Sequence, residues 1–502
     1  MGKEIELKLS LRSDQHGRLV RHPLLTGAAS RQSTTLVNRY YDTPNLALHR
    51  HGVALRLRQD GKRWLQTVKC AGNTAGGLSI RPEWEKPYRN TFDFSGINDK
   101  KVRKLLHNIQ EKLIPIFETN FKRVTWHLYT EAGDHILATL DRGEITAAGK
   151  STPISEVELE LSRGSVESLF SVADALCARI AMTPSPCSKA ERGYRLFSQS
   201  EDIVPTKIRP VTLAPEMHPV SAFRLTCLSC LEHLQKNQSG ALLGEDPEYL
   251  HQMRVASRRL DAALRFFRPL LPLETYQELN SGLKQVLKVL GHARDMDVLM
   301  TEIIAPVLQD NPRALDLARM ATMIGDKRKK IRDEMVAYLE SPTYGRFLLH
   351  TIKLINDIWP GGITLQEGMQ NSMPLNRYAR KRVRALLQDL ARTGCEANIT
   401  DPPTLHALRI RVKRLRYALD FVAHPHLPTK QLACLQDELG WLNDLSNAGM
   451  MLLSQVHADP TLFNVVSQIG EWHLPHYKKI TKDIGKHLET FLIKTKGIHG
   501  WT

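Results

Sequence analysis

The sequence predicts two unlike domains: an α+β domain over residues 1 to about 200, and an all-α domain over 218 to 502. Three observations lead there. Short runs alternating apolar with charged residues dominate the first part, whereas long stretches of helical periodicity fill the second. Between them Pro205, Pro210, Pro215 and Pro219 interrupt the chain, too densely for helix or strand, and 201–217 reads as a linker.

In order along the chain, EIELKL from Glu4, VALRLR from Val53, WLQTVKC from Trp64, RPEWEKP from Arg81 and VELELS from Val157 read as strands, separated by Gly, Asn, Asp and Pro turns. Helices are expected near 98–113 and 165–181, where apolar residues recur at three and four. In the second part HQMRVASRRLDAALRFF from His251 aligns without gaps on HALRIRVKRLRYALDFV from His406, sharing seven of seventeen positions. LGHARD ending at Asp295 and LGWLND ending at Asp444 follow as a second matched pair. These are two copies of one helical unit, about 218–345 and 370–490, and imply a duplicated bundle.

The 502 residues carry 69 Lys and Arg against 53 Asp and Glu, a net charge of +16. The excess is shared between the two parts and points to a polyanionic partner. MGKEIELKLS reads as neither a signal nor a transit peptide, so neither is expected, and no run of about 18 apolar residues suggests a membrane span. Seven scattered cysteines fit a reducing compartment, so a cytoplasmic protein is expected. Cys227 and Cys230 sit in an apolar helical pattern without a second pair at metal-ligand spacing, and core packing is the reading favoured over a redox or zinc role.

Residues two apart in a strand share a face. Glu4, Glu6 and Lys8 therefore point one way and Ile5, Leu7 and Leu9 the other. The same parity recurs at Arg56 and Arg58, at Glu83 and Glu85, and at Glu156, Glu158 and Glu160. For one strand the simple reading is a solvated charged face. A closed barrel would instead gather all of these charges around one small lumen, which needs metals and an anion to neutralise it. Carboxylates hold hard divalent cations while Arg and Lys grip phosphoryl oxygens, the chemistry of a phosphoanhydride hydrolase. No GxxxxGK[ST] occurs, which argues against a P-loop enzyme, and neither a GxSxG elbow nor an HExxH helix stands out.

Here the sequence resembles the CYTH superfamily of triphosphate tunnel metalloenzymes. EIELK at 4–8 matches its ExExK signature, and YYDTPNLALHRHGVALRLR at 40–58, QTVKC, RPEWE, FKR, LDRGEI, ELEL and SKAERGYRL follow in order. The resemblance implies an eight-stranded antiparallel tunnel binding a linear triphosphate with Mg²⁺ or Mn²⁺. By matched motif, Glu4, Glu6, Glu158 and Glu160 would ligate metal, and Lys8, Arg56, Arg58, Lys69, Arg123, Lys189 and Arg192 would bind phosphate. Glu83 and Glu85 would be tunnel acids, and Asp141 would support metal or water. Glu4, Glu6, Lys8, Glu83, Glu85 and Asp141 make up the expected catalytic set.

On a helix i, i+3 and i+7 share a face, so His251, Arg254 and Arg258 form a stripe that His406, Arg409 and Lys413 repeat. Arg416 continues the second stripe, and Arg377, Arg380, Lys381 and Arg384 add another basic face. Such faces repel themselves unless an anion sits on them. Aromatic residues are only 6% of the chain and no base-reading motif stands out, so sequence-specific nucleic-acid binding is not expected. The paired HxxRVxxRR and HxLRIxxKRLRY segments resemble the CHAD domain, which implies inorganic polyphosphate held along a basic groove. Asp295 and Asp444 could pair with the stripes or cap helices. The expected protein is a metal-dependent inorganic triphosphatase with a polyphosphate-binding domain, cytoplasmic and associated with polyphosphate granules. The alternatives are a non-catalytic polyphosphate scaffold and a tunnel enzyme acting on an organic triphosphate such as thiamine triphosphate or ATP.

Overall fold

The structure is a computed structural model in which residues 2–61, 63–198, 204–209, 211–357, 373–399, 401–421 and 428–496 are described. The chain divides into two compact units, Met1–Val204 with Leu339–Leu354, and Pro205–Tyr338 with Ile355–Thr502. Among the described residues no helix is long and apolar enough to cross a membrane.

The first unit holds strands β1 (Gly2–Leu11), β2 (Ser30–Asp42), β3 (Val53–Asp60), β4 (Arg63–Cys70), β5 (Asn73–Ala75), β6 (Leu78–Pro87), β7 (Ile114–Tyr129), β8 (His135–Ala147), β9 (Lys150–Arg163) and β10 (Met182–Pro184). The order β1-β9-β8-β7-β2-β3-β4-β6 is antiparallel throughout, and β6 pairs back onto β1. Eight strands thus close a barrel with no free edge inside the ring. The short β5 and β10 flank β6 and β1.

Alternation sends the apolar half of each strand outward. Leu7, Leu9, Leu55, Val68, Leu140 and Leu159 are all buried on the outside of the barrel. The helix Lys100–Ile109 covers part of that face, its Leu106 packing with Leu48, Val53, Leu55, Val68 and Phe94. Asp99 starts it by accepting hydrogen bonds from the Lys101 and Val102 amides. The helix Val166–Cys177, capped by Ser165, buries Leu169, Phe170, Ala173 and Leu176 beside β9. These are the two helices that periodicity places near 98–113 and 165–181.

A third helix, Lys189–Phe197, stops one end of the barrel. Its Tyr194 packs among the inward-facing Leu36, Tyr40, Phe117, Phe121, Ile145 and Ile154. Gly193 is required there, because a Cβ would lie 2.2 Å from the Phe117 ring. The buried Asp42 accepts hydrogen bonds from the Thr43, Leu48 and His49 amides at 2.7–2.9 Å, which gives the YYDTPNL segment a structural role. Leu339–Leu354 also belong to this unit although they lie in the helical half of the sequence. Arg346 and His350 both reach Asp174 at 2.8 Å.

The second unit is helical. Pro219–Leu243, Pro247–Phe266, Leu273–Val298 and Leu315–Leu339 follow one another, and Leu375–Cys395, Pro402–Leu419, Thr429–Ala458 and Phe463–Lys496 repeat the series. The second helix of each series opens on the same device, an Asp-Pro pair with the aspartate as N-cap. Asp246 accepts from the Glu248 amide and Asp401 from the Thr404 amide. Cys227 and Cys230 are free and buried in the first of these helices, as core residues.

Candidate active site and basic helical cluster

Strand register decides which charges meet, because directly opposed residues point to the same side. β1 sets Glu6 opposite Glu160 and Lys8 opposite Glu158, and on its other edge Glu4 opposite Arg81. β8 sets Asp141 opposite both Glu156 and Arg123, and β4 sets Lys69 opposite Glu83 and Thr67 opposite Glu85. All fourteen tunnel positions expected from the sequence therefore lie on the barrel strands facing the lumen, except Lys189 and Arg192, which reach it from the stopping helix.

Inside, the charges are paired. Lys69 Nζ lies 2.8 Å from Glu4 and 3.2 Å from Glu83, and Arg81 lies 2.9 Å from Glu4 and 2.7 Å from Glu6. Arg56 lies 3.6 Å from Glu83 and 3.9 Å from Glu85. Near the stopped end Arg123 takes Asp141 and Glu158 at 2.6 Å each, and Lys189 takes Asp141 at 2.6 Å, Glu158 at 3.0 Å and also Glu156. Lys8 stands 3.5 Å from Glu158, and Arg192 3.9 Å from Glu156.

Burial raises the pKa of a carboxylate, and cations lower it. At Glu4 burial is opposed more strongly by Lys69 and Arg81, which bring it down to about 2. At Glu158 burial is opposed by Lys189, Arg123 and Lys8, and the carboxylate is held well below its usual range. Lys8 and Lys189 are raised despite their burial, by the carboxylates around them.

Two groups break this balance. Glu160 forms no ion pair among the described residues, and its pKa is raised by burial and by the nearby Glu4, Glu6 and Glu83. Arg58 likewise has no carboxylate partner, only Asn38 Oδ1 at 3.2 Å. It is lowered to about 10 by Arg56, by burial and by Arg123. The lumen thus keeps a patch of surplus acid and a patch of surplus base. The carboxylates Asp141, Glu156 and Glu158, with oxygens within 4.8 Å of one another, could hold a metal ion, though Arg123 and Lys189 now neutralise them. The donor set around Glu160, hard oxygens with an acid excess, suits a divalent cation.

Sequence reasoning set Glu156 on the charged face without giving it a role, and missed Arg81 and Asn38 as tunnel residues. Arg81 stands in the quoted RPEWE two residues before Glu83, hence on its face, and Glu156 shares the parity of Glu158. Asn38 carries no charge signal, and only register places it beside Arg58.

In the helical unit the two stripes meet. Arg254 feels Arg258, Arg409 and the acids Asp295 and Asp444, while Lys413 feels Arg258, Arg409, Asp444 and Arg254. Burial first, then Arg258, lowers Arg254 to about 10, and burial with Arg258 and Arg409 lowers Lys413 to about 7. His251 is lowered by burial and Arg294. Asp295 does pair with the stripe, 3.4 Å from Arg254, and Gly291 makes room, since a Cβ there would lie 2.4 Å from the Arg254 guanidinium. Arg416 sits toward Asp420, where Arg259 already pairs at 2.7 Å.

Other expected positions stay apart. Arg377, Arg380, Lys381 and Arg384 are exposed on Leu375–Cys395, and none is among the main charges acting on Arg254, Arg409 or Lys413. That helix packs through its other side, with the Tyr378 hydroxyl donating to the Phe266 carbonyl and Arg382 over the Phe266 ring. His406 is exposed at the start of its helix, unlike the half-buried His251.

Comparison with known proteins agrees with this division. Residues 2–194 match the CYTH domain and 226–453 the CHAD domain. An inorganic triphosphatase of Haemophilus influenzae is 32% identical over 199 residues, covering 40% of this chain and 56% of that protein. The chain thus spans about half the length of that relative. The CHAD domain of Ricinus communis is 27% identical in sequence, covers 57% of this chain and 96% of that one, and superposes with a TM-score of 0.48. A Hippeastrum protein, described as an adenylyl cyclase candidate with a dominant triphosphatase activity, is 18% identical over 39% of this chain and 96% of that one, with a TM-score of 0.29.

Proposed function

From a chain that joins a CYTH domain to a CHAD domain, we propose an enzyme that hydrolyses inorganic triphosphate to pyrophosphate and phosphate and binds inorganic polyphosphate through its helical unit. The observation that carries this reading is the pair of unbalanced patches in the tunnel: Glu160 among acids, and Arg58 beside Arg56 and Arg123. Polyanion binding alone has no use for the first patch. A triphosphate brought in with a divalent cation, Mg²⁺ or Mn²⁺, satisfies both.

In this mechanism Arg56, Arg58, Lys69 and Arg123 bind the phosphoryl oxygens, and Lys8, Lys189 and Arg192 hold the end nearest the stopping helix. Glu4, Glu6, Glu158 and Glu160 would hold the metal, joined by Asp141 and Glu156. When bound, the metal acidifies a water and offsets charge on the phosphates. Arg81 orients Glu4 and Glu6 through its two contacts. Asp141 positions Arg123 and Lys189, and Glu83 and Glu85 position Arg56. Triphosphate exchanges the carboxylate partners of these cations for its own oxygens, and the freed carboxylates are the ones that would hold a metal. The fixed cations then stabilise charge on the leaving pyrophosphate.

In the helical unit Arg254, Arg258, Arg409 and Lys413, with His251, form the centre of the polyphosphate site. Arg377, Arg380, Lys381, Arg384, His406 and Arg416 are peripheral to it. The protein is expected in the cytoplasm, with polyphosphate granules.

The test is phosphate release by the purified chain with Mg²⁺ or Mn²⁺ from triphosphate, pyrophosphate, ATP, thiamine triphosphate and long polyphosphate. Metal-dependent release from triphosphate above all others supports the proposal. Faster turnover of ATP or thiamine triphosphate would replace inorganic triphosphate by an organic one, and no turnover of any would leave a binding protein.

A further inference from the structure

His127 and His135 lie away from both sites. His127 is on β7, four residues beyond Arg123 and on the same lumenal parity, about 13 Å further along the strand at ~3.3 Å per residue. His135 begins β8 opposite Tyr129. The His127 Nδ1 and His135 Nε2 atoms are 3.1 Å apart. The two rings lie nearly parallel, their centroids 5.3 Å apart, and the far face of His135 stacks on Tyr129 at 4.5 Å with an interplanar angle of 6°. Tyr129 is 60% exposed, so the three rings stand at the accessible end of the tunnel, away from the stopping helix.

This arrangement differs in kind from the carboxylate-lined interior. Two imidazole nitrogens bound to one tetrahedral ion at about 2.0–2.1 Å stand roughly 3.3 Å from each other, close to the spacing found here. No carboxylate pairs with either ring among the described residues. Arg163, the cross-strand neighbour of His135, donates to the Gly133 carbonyl at 2.8 Å. Tyr129 fixes the plane of His135.

We propose that His127 and His135 form a two-histidine site for a borderline transition-metal ion such as Zn²⁺, Cu²⁺ or Ni²⁺ at the accessible mouth of the tunnel. Water or a phosphoryl oxygen completes the coordination. The ring that donates in this pair takes its other tautomer, its proton passing through water to its second nitrogen, so that His127 Nδ1 and His135 Nε2 both carry lone pairs, and rotation of each imidazole aims them at the ion. Imidazole ligands prefer these ions to Mg²⁺, so the site takes a different metal from the carboxylates.

The experiment is Zn²⁺ titration calorimetry on the full chain in phosphate-free buffer containing excess Mg²⁺, with Cu²⁺ electron paramagnetic resonance on the same samples. Wild type is expected to bind one more equivalent of Zn²⁺ than His127→Ala or His135→Ala, and the nitrogen hyperfine signal of that equivalent disappears in both variants. Melting curves without metal confirm that the variants fold, and His135→Gln substitutes if His135→Ala does not. An unchanged Zn²⁺ stoichiometry in folded variants would overturn the proposal, as would displacement of the Zn²⁺ by Mg²⁺. A Glu4→Gln/Glu6→Gln control separates this site from the interior, since it should retain the extra equivalent whatever the catalytic reading's fate.

Discussion

The tunnel and the basic cluster both gather cations, and they solve the problem of like charge in opposite ways. In the tunnel nearly every cation has a carboxylate within 4 Å, and Lys8 and Lys189 are raised by those acids. In the cluster two acids, Asp295 and Asp444, stand among at least four cations, and Lys413 falls to about 7 after burial and its neighbours have acted. A closed barrel draws all of its charges into one lumen, where solvent screens them weakly, and it keeps their partners within itself. The helical cluster holds fewer acids than cations and leaves part of its charge uncompensated until an anion arrives. The tunnel is therefore built for exchange of partners, and the cluster for capture.

The largest break of that comparison is expected from Glu4→Gln/Glu6→Gln. Triphosphate turnover should fall by about 10³-fold or more, as is usual when a group acting in the transition state is lost, while calorimetric binding of long polyphosphate to the full chain stays unchanged. Equal losses in both would mean that one site serves both ligands.

Next is Asp141→Asn. Asp141 is 0% exposed and accepts from both Arg123 and Lys189. Removing its charge strands buried cations and should cost about 3–5 kcal/mol in denaturant unfolding. Asp295→Asn, in the less enclosed cluster, should cost far less.

A third test uses protons. Free Lys413, at about 7, is half charged at neutral pH, and a bound polyanion raises its pKa. Binding should therefore be tightest below pH 7 and weaken by up to tenfold per unit above it, until the raised value is passed. Lys413→Arg should flatten the profile in calorimetry, whereas a pH-independent affinity would remove Lys413 from the site.

The smallest effect separates centre from periphery. By analogy with counterion release, Arg254→Ala should reduce the slope of log affinity against log salt by about 1. Arg377→Ala should change it little, and equal changes would make the exposed face of Leu375–Cys395 part of the groove.

How much of this was legible depends on whether the information is local. Period-two alternation exposed the charged face of β1, β3, β6 and β9 one strand at a time, and the ordered motifs carried the closed tunnel. Register is not local. Nothing in EVELELS shows that Glu158 will face Lys8, which depends on how β1 and β9 slide past each other, or that Glu156 will meet Lys189, which comes from the stopping helix. The face of Arg81 was readable from RPEWE, but its pairing with Glu4 and Glu6 depends on how β1 and β6 align. The meeting of the two basic stripes followed from duplication, since equivalent helices bring equivalent faces together. The run Arg377–Arg384 lies apart from the two stripes because one helix offers several polar faces, and Tyr378 and Arg382 decide which packs inward. Leu339–Leu354 read as bundle because an amphipathic helix does not announce which surface it will cover.

The helix Lys189–Phe197 gives the tunnel a single door. With Tyr194 wedged among Leu36, Phe117 and Phe121, a linear phosphate cannot pass through from end to end. Under the proposed hydrolysis a long polymer would offer only its terminus, and products would retreat along the path by which substrate entered. Pyrophosphate, the bulkier product, would then compete with the next triphosphate for the same corridor, and its departure would set how soon the tunnel is refilled.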